Sequence, residues 1–190
     1  MERVSFNISG PLLLKLRLFK DDRGFFFESY QATRYHNLGI SPPFVQDNTS
    51  FSKRGVLRGL HYQKNFPQGK LVSVLQGRVY DVAVDIRRHS PTFGQHISVW
   101  LDDENHHQFY IPPGFAHGFF VTSDTALFHY KCTDYYHPND EGGLCWNDPA
   151  LNIDWPLDDA LPILSPKDAT FPLLAELAQK SALPLYESII

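Results

Sequence analysis

The stretch from Lys70 to Ile86 reads KLVSVLQGRVYDVAVDI, two runs rich in β-branched residues split by Gln76-Gly77-Arg78. β-Branched side chains pack well on a pleated surface, and a glycine between two such runs marks a tight turn, so the segment predicts a hairpin. From Tyr80 onward the alternation has a period of two: Tyr80, Val82, Val84 and Ile86 point one way, and Asp81, Ala83 and Asp85 the other. Asp81 and Asp85 then share a polar face, where Asp81 could pair with Lys70 and Asp85 could form a surface ion pair with Arg87 or Arg88. Outward from this segment, similar runs occur at 12–19, 24–30, 56–62, 96–101, 108–111, 118–122 and 126–133. Many short strands with turn signals between them predict a mainly β chain, an antiparallel sandwich or barrel of the jelly-roll kind with a few short peripheral helices. Helical spacing is confined to a stretch around 33–38 and to Leu173, Leu174, Leu177 and Ala178, so the C-terminal segment of about 165–190 is expected to be partly helical. Residues 138–166, rich in Pro, Asp and Trp, read as ordered loop wrapped around the sheet.

With 190 residues the chain can bury one substantial core and is short for two full-sized domains, so 1–190 is expected to be a single domain. Seventeen Lys and Arg against 21 Asp and Glu give a net charge of -4, which offers no chain-wide basic field to nucleic acid or an anionic membrane. No apolar run approaches the roughly 20 residues of a membrane helix, and Met1-Glu2-Arg3 leads into no signal-like segment. Cys132 and Cys145 are too few for a disulfide framework and lack zinc-ligand spacing, so reduced thiols in a cytoplasmic protein are expected. Aromatic residues form 14% of the chain, enough to line a pocket as well as fill a core.

Reactive groups concentrate in RGVLRGLHYQKNFPQGKLVSVLQG (54–77) and YIPPGFAHGFFVTSDTALFHYKCTDYY (110–136). Both resemble the paired motifs of the cupin superfamily, a β-barrel in which strand-borne His and Glu residues point inward and usually bind a metal. Where a metal cupin places His-x-His, a Glu and a fourth His after Pro-x-Gly-x-x, this chain has His61, Gln63, Lys70 and His117. A charged ammonium donates hydrogen bonds and cannot ligate, so Lys70 would repel a divalent cation, and a metal-free site is expected. A fixed cation beside a base suits proton abstraction next to a carbonyl, because negative charge develops on the enolate oxygen. His61 can act as base at neutral pH. Tyr130, on a strand face with Phe128 and Cys132, can return a proton from the opposite side of a planar intermediate. Abstraction on one face and return on the other inverts a carbon without a cofactor.

In chain order, RGFFFESY (23–30), FVQDN (44–48), VLRGLHYQ (56–63), QGKLV (68–72), YDVAVDIRRHSPTFGQ (80–95), IPPGFAHGF (111–119), YKCTDYY (130–136), WNDP (146–149) and LSPKDA (164–169) closely resemble the dTDP-4-dehydrorhamnose 3,5-epimerase family. The resemblance spans roughly 10–174. It implies a homodimeric jelly-roll isomerase, free of metal and cofactor, that inverts carbons 3 and 5 of dTDP-4-dehydro-6-deoxy-D-glucose in dTDP-L-rhamnose biosynthesis. It implies His61 as base oriented by Asp168, Tyr130 as acid and Lys70 as support for the enolate. Binding roles are implied for Arg23, Glu28, Gln46, Asp47, Asn48, Arg58, His117, Glu141 and Lys167, with Tyr136 stacking on the thymine. Arg23, Arg58 and Lys167 would meet the diphosphate, and the strand near 23–30 would reach across the dimer to the partner's nucleotide.

Local sequence alone leaves blander readings open. Asp168, three residues after Ser165 and ahead of an apolar run, also reads as part of a helix capping box. His61, Lys70, Tyr130 and Tyr136 each read alone as ordinary sheet residues. Strict alternation puts Arg58 on the face opposite His61, although Gly59 between them permits a bulge. His89, His96, His106, His107 and His137 read as exposed or loop histidines. Two rival functions remain: a relative that inverts one carbon only, and a cofactor-free cupin that binds a sugar nucleotide without turnover. The second has no need of His61, Lys70, Tyr130 and Asp168 together.

Overall fold

The computed structural model describes residues 1–41, 43–158, 160–180 and 183–186. Its strands are β1 (Glu2–Ser5), β2 (Leu12–Lys15), β3 (Phe19–Asp21), β4 (Gly24–Phe26), β5 (Gln46–Lys53), β6 (Leu57–Gln63), β7 (Lys70–Gln76), β8 (Arg78–Asp85), β9 (His96–Asp102), β10 (Gln108–Ile111), β11 (Phe115–Val121), β12 (Thr125–Cys132) and β13 (Glu141–Gly143). Two short helices, α1 (Ala32–His36) and α2 (Leu174–Gln179), lie outside them. One antiparallel sheet has the order β1-β2-β10-β7-β12-β5 and the other β13-β6-β11-β8-β9, while β3 and β4 pair only with each other. This is the expected cupin-like barrel.

Residues of alternate parity fill the space between the sheets. Val72, Val74, Phe109 and Phe128 from the first sheet meet Val79, Ala83, Val99 and Phe119 from the second, all buried. The outer face of the second sheet is covered as well. Leu144, Leu151, Trp155, Leu174, Leu177 and Leu183 pack on Leu57, Leu60, Val82, Val84, Ile86 and Phe120, so the wrap expected from 138–166 continues through α2. The buried Asp148 fastens it, accepting a hydrogen bond from Leu174 N at 2.7 Å at the start of α2. Residues 181, 182 and 187–190 of the expected C-terminal segment lie outside the described residues. No helix among the described residues is long and apolar enough to cross a membrane.

Three expectations are corrected. The predicted hairpin over 70–86 is a corner: β7 pairs with β10 and β12, whereas β8 pairs with β11 and β9 in the opposite sheet. Gly77 makes the corner at φ +83°, where a Cβ would stand 2.0 Å from Thr125 O. Because β8 lies inside a sheet covered on both faces, Asp81 and Asp85 are buried and occupy no solvated face. Asp85 accepts from Arg87 Nε and Nη2, each at 2.8 Å, from Ser90 Oγ at 2.6 Å and from Thr92 Oγ1 at 2.7 Å, so its ion pair is internal. His106 is buried too, 4.6 Å and 4.9 Å from the ring centroids of Phe25 and Phe27, and His96 belongs to β9.

Burial alone would raise the Asp85 carboxyl, but its bonds from Arg87, Ser90 and Thr92 outweigh burial and hold it below its ordinary value. Asp85→Ala is expected to destabilise the fold by about 3 kcal/mol at pH 7, because it leaves the Arg87 guanidinium buried without its counter-ion. A carboxyl depressed in the folded state stabilises fully above its unfolded pKa of about 3.9 and loses that contribution as pH falls through the lower folded value. Urea unfolding of both proteins should therefore show a gap that is full at pH 7 and narrows below about pH 4.

Candidate active site

The site is set by an irregularity in β6. His117 of β11 is opposite His61 and Phe119 is opposite Arg58, so three steps along β6 match two along β11. The additional β6 residue is a bulge that changes the parity of the strand. Gly59 adopts φ +119°, and a Cβ there would stand 2.6 Å from Gly118 Cα and 2.7 Å from His117 O. Arg58 and His61 consequently line one cavity of about 340 Å³, with Gln46, Asn48 and Ser50 of β5, Lys70 of β7, His117 and Phe119 of β11, and Phe128 and Tyr130 of β12. Gln68, Gly118, Tyr136 and Glu141 complete its lining.

His61 Nε2 lies 2.7 Å from Asp168 Oδ1, and the Phe171 ring stands edge-on to the imidazole at 5.6 Å. Asp168 N donates to Ser165 Oγ at 3.1 Å, so the capping contact and the histidine contact coexist. Burial would raise the Asp168 carboxyl, but the hydrogen bond and charge of His61, with the Ser165 hydroxyl and the Gly59 backbone, keep it below its ordinary value. An ionised carboxylate only accepts, so the proton of this bond sits on Nε2, and in the neutral imidazole the lone pair of a base is on Nδ1.

A second histidine–carboxylate pair lies beside the first. His117 Nε2 is 2.9 Å and 3.0 Å from the two oxygens of Asp81, and both residues are buried. Burial lowers the His117 pKa and the nearby Lys70 and His61 act in the same direction, outweighing Asp81. The Asp81 partner is thus His117, although its charge also favours the ammonium of Lys70, which burial pushes down. Lys70 Nζ sits 6.0 Å from the Tyr130 ring centroid. Burial and the neighbouring Cys132 raise the Tyr130 pKa, with Arg58 opposing, so the phenol keeps its proton at neutral pH.

At the edge of the cavity Tyr136 Oη donates to Glu141 Oε2 at 2.7 Å, and Lys167 Nζ bonds the same oxygen. Gln46, Asn48, Arg58, His61, Lys70, His117, Tyr130, Tyr136 and Glu141 therefore meet at one cavity, with Asp168 and Lys167 each one contact behind it. Three expected residues lie elsewhere in the single chain. Asp47 pairs with Lys131 at 2.8 Å, Glu28 with Arg34 at 3.2 Å, and Arg23, on the β3–β4 hairpin, with Asp21. Sequence reasoning missed Ser50, whose buried Oγ has no hydrogen-bond partner. The alternation Gln46, Asn48, Ser50 along β5 was the available signal. It also missed Asp81 as the partner of His117, because no local pattern links β8 to β11.

The family model for dTDP-4-dehydrorhamnose 3,5-epimerase matches residues 5–176. The dTDP-4-dehydrorhamnose 3,5-epimerase of Pseudomonas aeruginosa is 54% identical over 169 residues, covering 88% of this chain and 93% of its own. A dTDP-6-deoxy-D-glucose 3,5-epimerase from Legionella pneumophila, solved with dTDP-4-keto-L-rhamnose, superposes with a TM-score of 0.93 at 55% identity, covering 97% of this chain and 98% of its own. A 3'-monoepimerase from Streptomyces bikiniensis, solved with dTDP-quinovose, superposes with a TM-score of 0.91 at 34% identity, covering 96% and 93%. Agreement in fold, together with more than half of the residues identical over nearly whole chains, places this chain in the dTDP-4-dehydrorhamnose 3,5-epimerase family of isomerases.

Proposed function

We propose that this protein converts dTDP-4-dehydro-6-deoxy-D-glucose into dTDP-4-dehydro-L-rhamnose by inverting carbons 3 and 5, without metal or cofactor, in dTDP-L-rhamnose biosynthesis. The observation that carries this reading is the His61–Asp168 pair at 2.7 Å in a cavity whose opposite sheet supplies Lys70 and a protonated Tyr130. His61 Nδ1 takes the proton from the carbon beside the C4 carbonyl, and the electron pair moves onto the carbonyl oxygen. The Lys70 ammonium stabilises that enolate. Tyr130 gives its proton to the other face of the same carbon, the enolate collapses to the ketone, and solvent restores His61 and Tyr130 before the second inversion.

The remaining residues divide the nucleotide between them. Arg58 and Lys167 meet the diphosphate, Tyr136 stacks on the thymine, and Gln46, Asp47, Asn48, His117 and Glu141 complete the binding surface. Arg23 and Glu28 would serve the partner's site in a homodimer with strand exchange near 23–30. The β3–β4 hairpin supports this reading, since Phe25 and Phe26 are 56% and 69% exposed on a sheet that pairs with no other strand among the described residues. The 190 residues would act as one domain, and the free thiols of Cys132 and Cys145 suit a reducing cytoplasm. The higher identity to the 3,5-epimerases than to the 3'-monoepimerase favours inversion at both carbons.

Incubation with the keto sugar in heavy water is expected to place deuterium at carbons 3 and 5, read by NMR; label at carbon 3 alone would identify a single epimerase, and none would refute the mechanism. His61→Ala should lower kcat at least about a thousandfold while the dTDP Kd stays within about threefold. Tyr130→Phe should still exchange the proton taken by His61 but lose inversion by about a hundredfold or more. For the dimer, Phe26→Asp should convert a two-chain species to one chain in sedimentation equilibrium and weaken dTDP binding at the same time. A wild-type protein that sediments as one chain while turning over normally would exclude the shared site.

A further inference from the structure

Tyr136 is half exposed, so packing does little to fix its ring, and its position depends on the backbone that carries it. That backbone is held by side chains from three different strands or loops. Gln68 Nε2 donates to Asp134 O at 2.8 Å, Tyr136 N donates to Gln46 Oε1 at 3.0 Å, and Gln63 takes the groups on either side of Tyr136. Gln63 Nε2 donates to Tyr135 O at 3.3 Å and to Phe66 O at 2.6 Å, while His137 N donates to Gln63 Oε1 at 2.8 Å. Gln63 is itself buried at the end of β6, opposite Glu141 of β13, the residue that accepts the Tyr136 hydroxyl. The two loops it joins also touch directly, with the Phe66 and His137 rings stacked at 4.0 Å.

We propose that Gln63, at the place where a metal cupin carries its second histidine, is a positioning residue that holds Tyr136 ready for the nucleobase by locking the 134–137 backbone to the 64–67 loop. The inference rests on the reading of Tyr136 as the platform for the base. An amide is required because the position must donate to carbonyls and accept from an amide N–H at once; a histidine, carboxylate or thioether does only part of this. Fixing the platform before binding removes an ordering cost that the nucleotide would otherwise meet.

The decisive experiment compares Gln63→Met, which keeps volume but loses the three hydrogen bonds, with wild type by calorimetry with dTDP and by steady-state kinetics. The dTDP Kd and the sugar-nucleotide KM should each rise about tenfold or more, as expected when the backbone that carries the platform loses its three partners, with kcat and the deuterium pattern unchanged. In a Tyr136→Ala background the same change should alter the Kd less than about twofold, because the platform it acts through is gone. An unaltered Kd in Gln63→Met, an equal loss with and without Tyr136, or a fall in kcat at constant Kd would each overturn the proposal. Amide hydrogen exchange of the unliganded wild type decides the matter even if the variant fails to fold: His137, whose N–H donates to Gln63, should exchange slowly, and exchange at open-chain rates until dTDP is added would overturn the proposal. A wild type that neither binds dTDP nor exchanges substrate protons would instead remove the functional reading, which the amide protection does not depend on.

Discussion

The close approach of two glycines, Gly59 in β6 and Gly118 in β11, is the contact on which the site depends. A Cβ on either would stand 2.6 Å from backbone of the facing strand, so the two strands can meet at this distance only without side chains. Three consequences follow from that contact. The bulge opposite Gly118 turns Arg58 and His61 toward one cavity, and the register on its far side sets His117 across from His61. The Gly59 backbone also helps to hold down the pKa of the Asp168 carboxyl that pairs with His61, so the strand contact and the histidine–carboxylate pair meet at the same point.

Around this contact the barrel holds more ionisable groups than a core normally tolerates, and pairing explains how. His61 and His117 each have a buried carboxylate on Nε2, which satisfies the acid and fixes the tautomer of the base. Lys70 is treated differently. Burial weakens its ammonium while Cys132, Glu141 and Asp81 favour the charge, and its head group lies beside the cavity and the Tyr130 ring. A cation supported at a distance, with no carboxylate paired to it among the described residues, suits the proposed role of meeting an oxygen that becomes negative during reaction. The pairs therefore orient the two histidines and satisfy the buried carboxylates, whereas in the proposed reaction Lys70 would offer its charge to the substrate oxygen.

The grouping of residues at the cavity was more legible in the sequence than its scaffolding. His61, Lys70 and Tyr130 could be placed together because strand alternation and the cupin spacing are local properties. The corner at Gly77 was not legible, since a hairpin and a sheet-to-sheet crossover begin with the same glycine between β-rich runs; which one forms depends on partners distant in sequence, β12 for β7 and β11 for β8. Asp81 and Asp85 were misread for a related reason. Alternation shows that two faces differ, but whether the polar one meets water depends on what covers it, and here His117 and Arg87 lie on it. Strand β5 escaped notice because QDNTSFSK carries polar side chains into the cavity, reversing the usual inward apolar pattern. Arg23 and Glu28 lie outside the cavity of one chain, where no intramolecular pattern could set their distance from it.

The C-terminal wrap joins these observations. In its path over the second sheet it buries Leu144, Leu151, Trp155 and Leu174 against the outer face, and between the first and last of these it delivers Lys167 and Asp168 to the inner site. Its regular secondary structure is slight, so its position comes from apolar burial and from single anchors such as Asp148 at the start of α2. Packing on the outside of the barrel thus determines where the carboxylate stands inside it. The orientation of His61 is therefore a property of the whole second sheet and its cover, and in the proposed mechanism substitutions at the outer core, far from the cavity, would act through the position of Asp168.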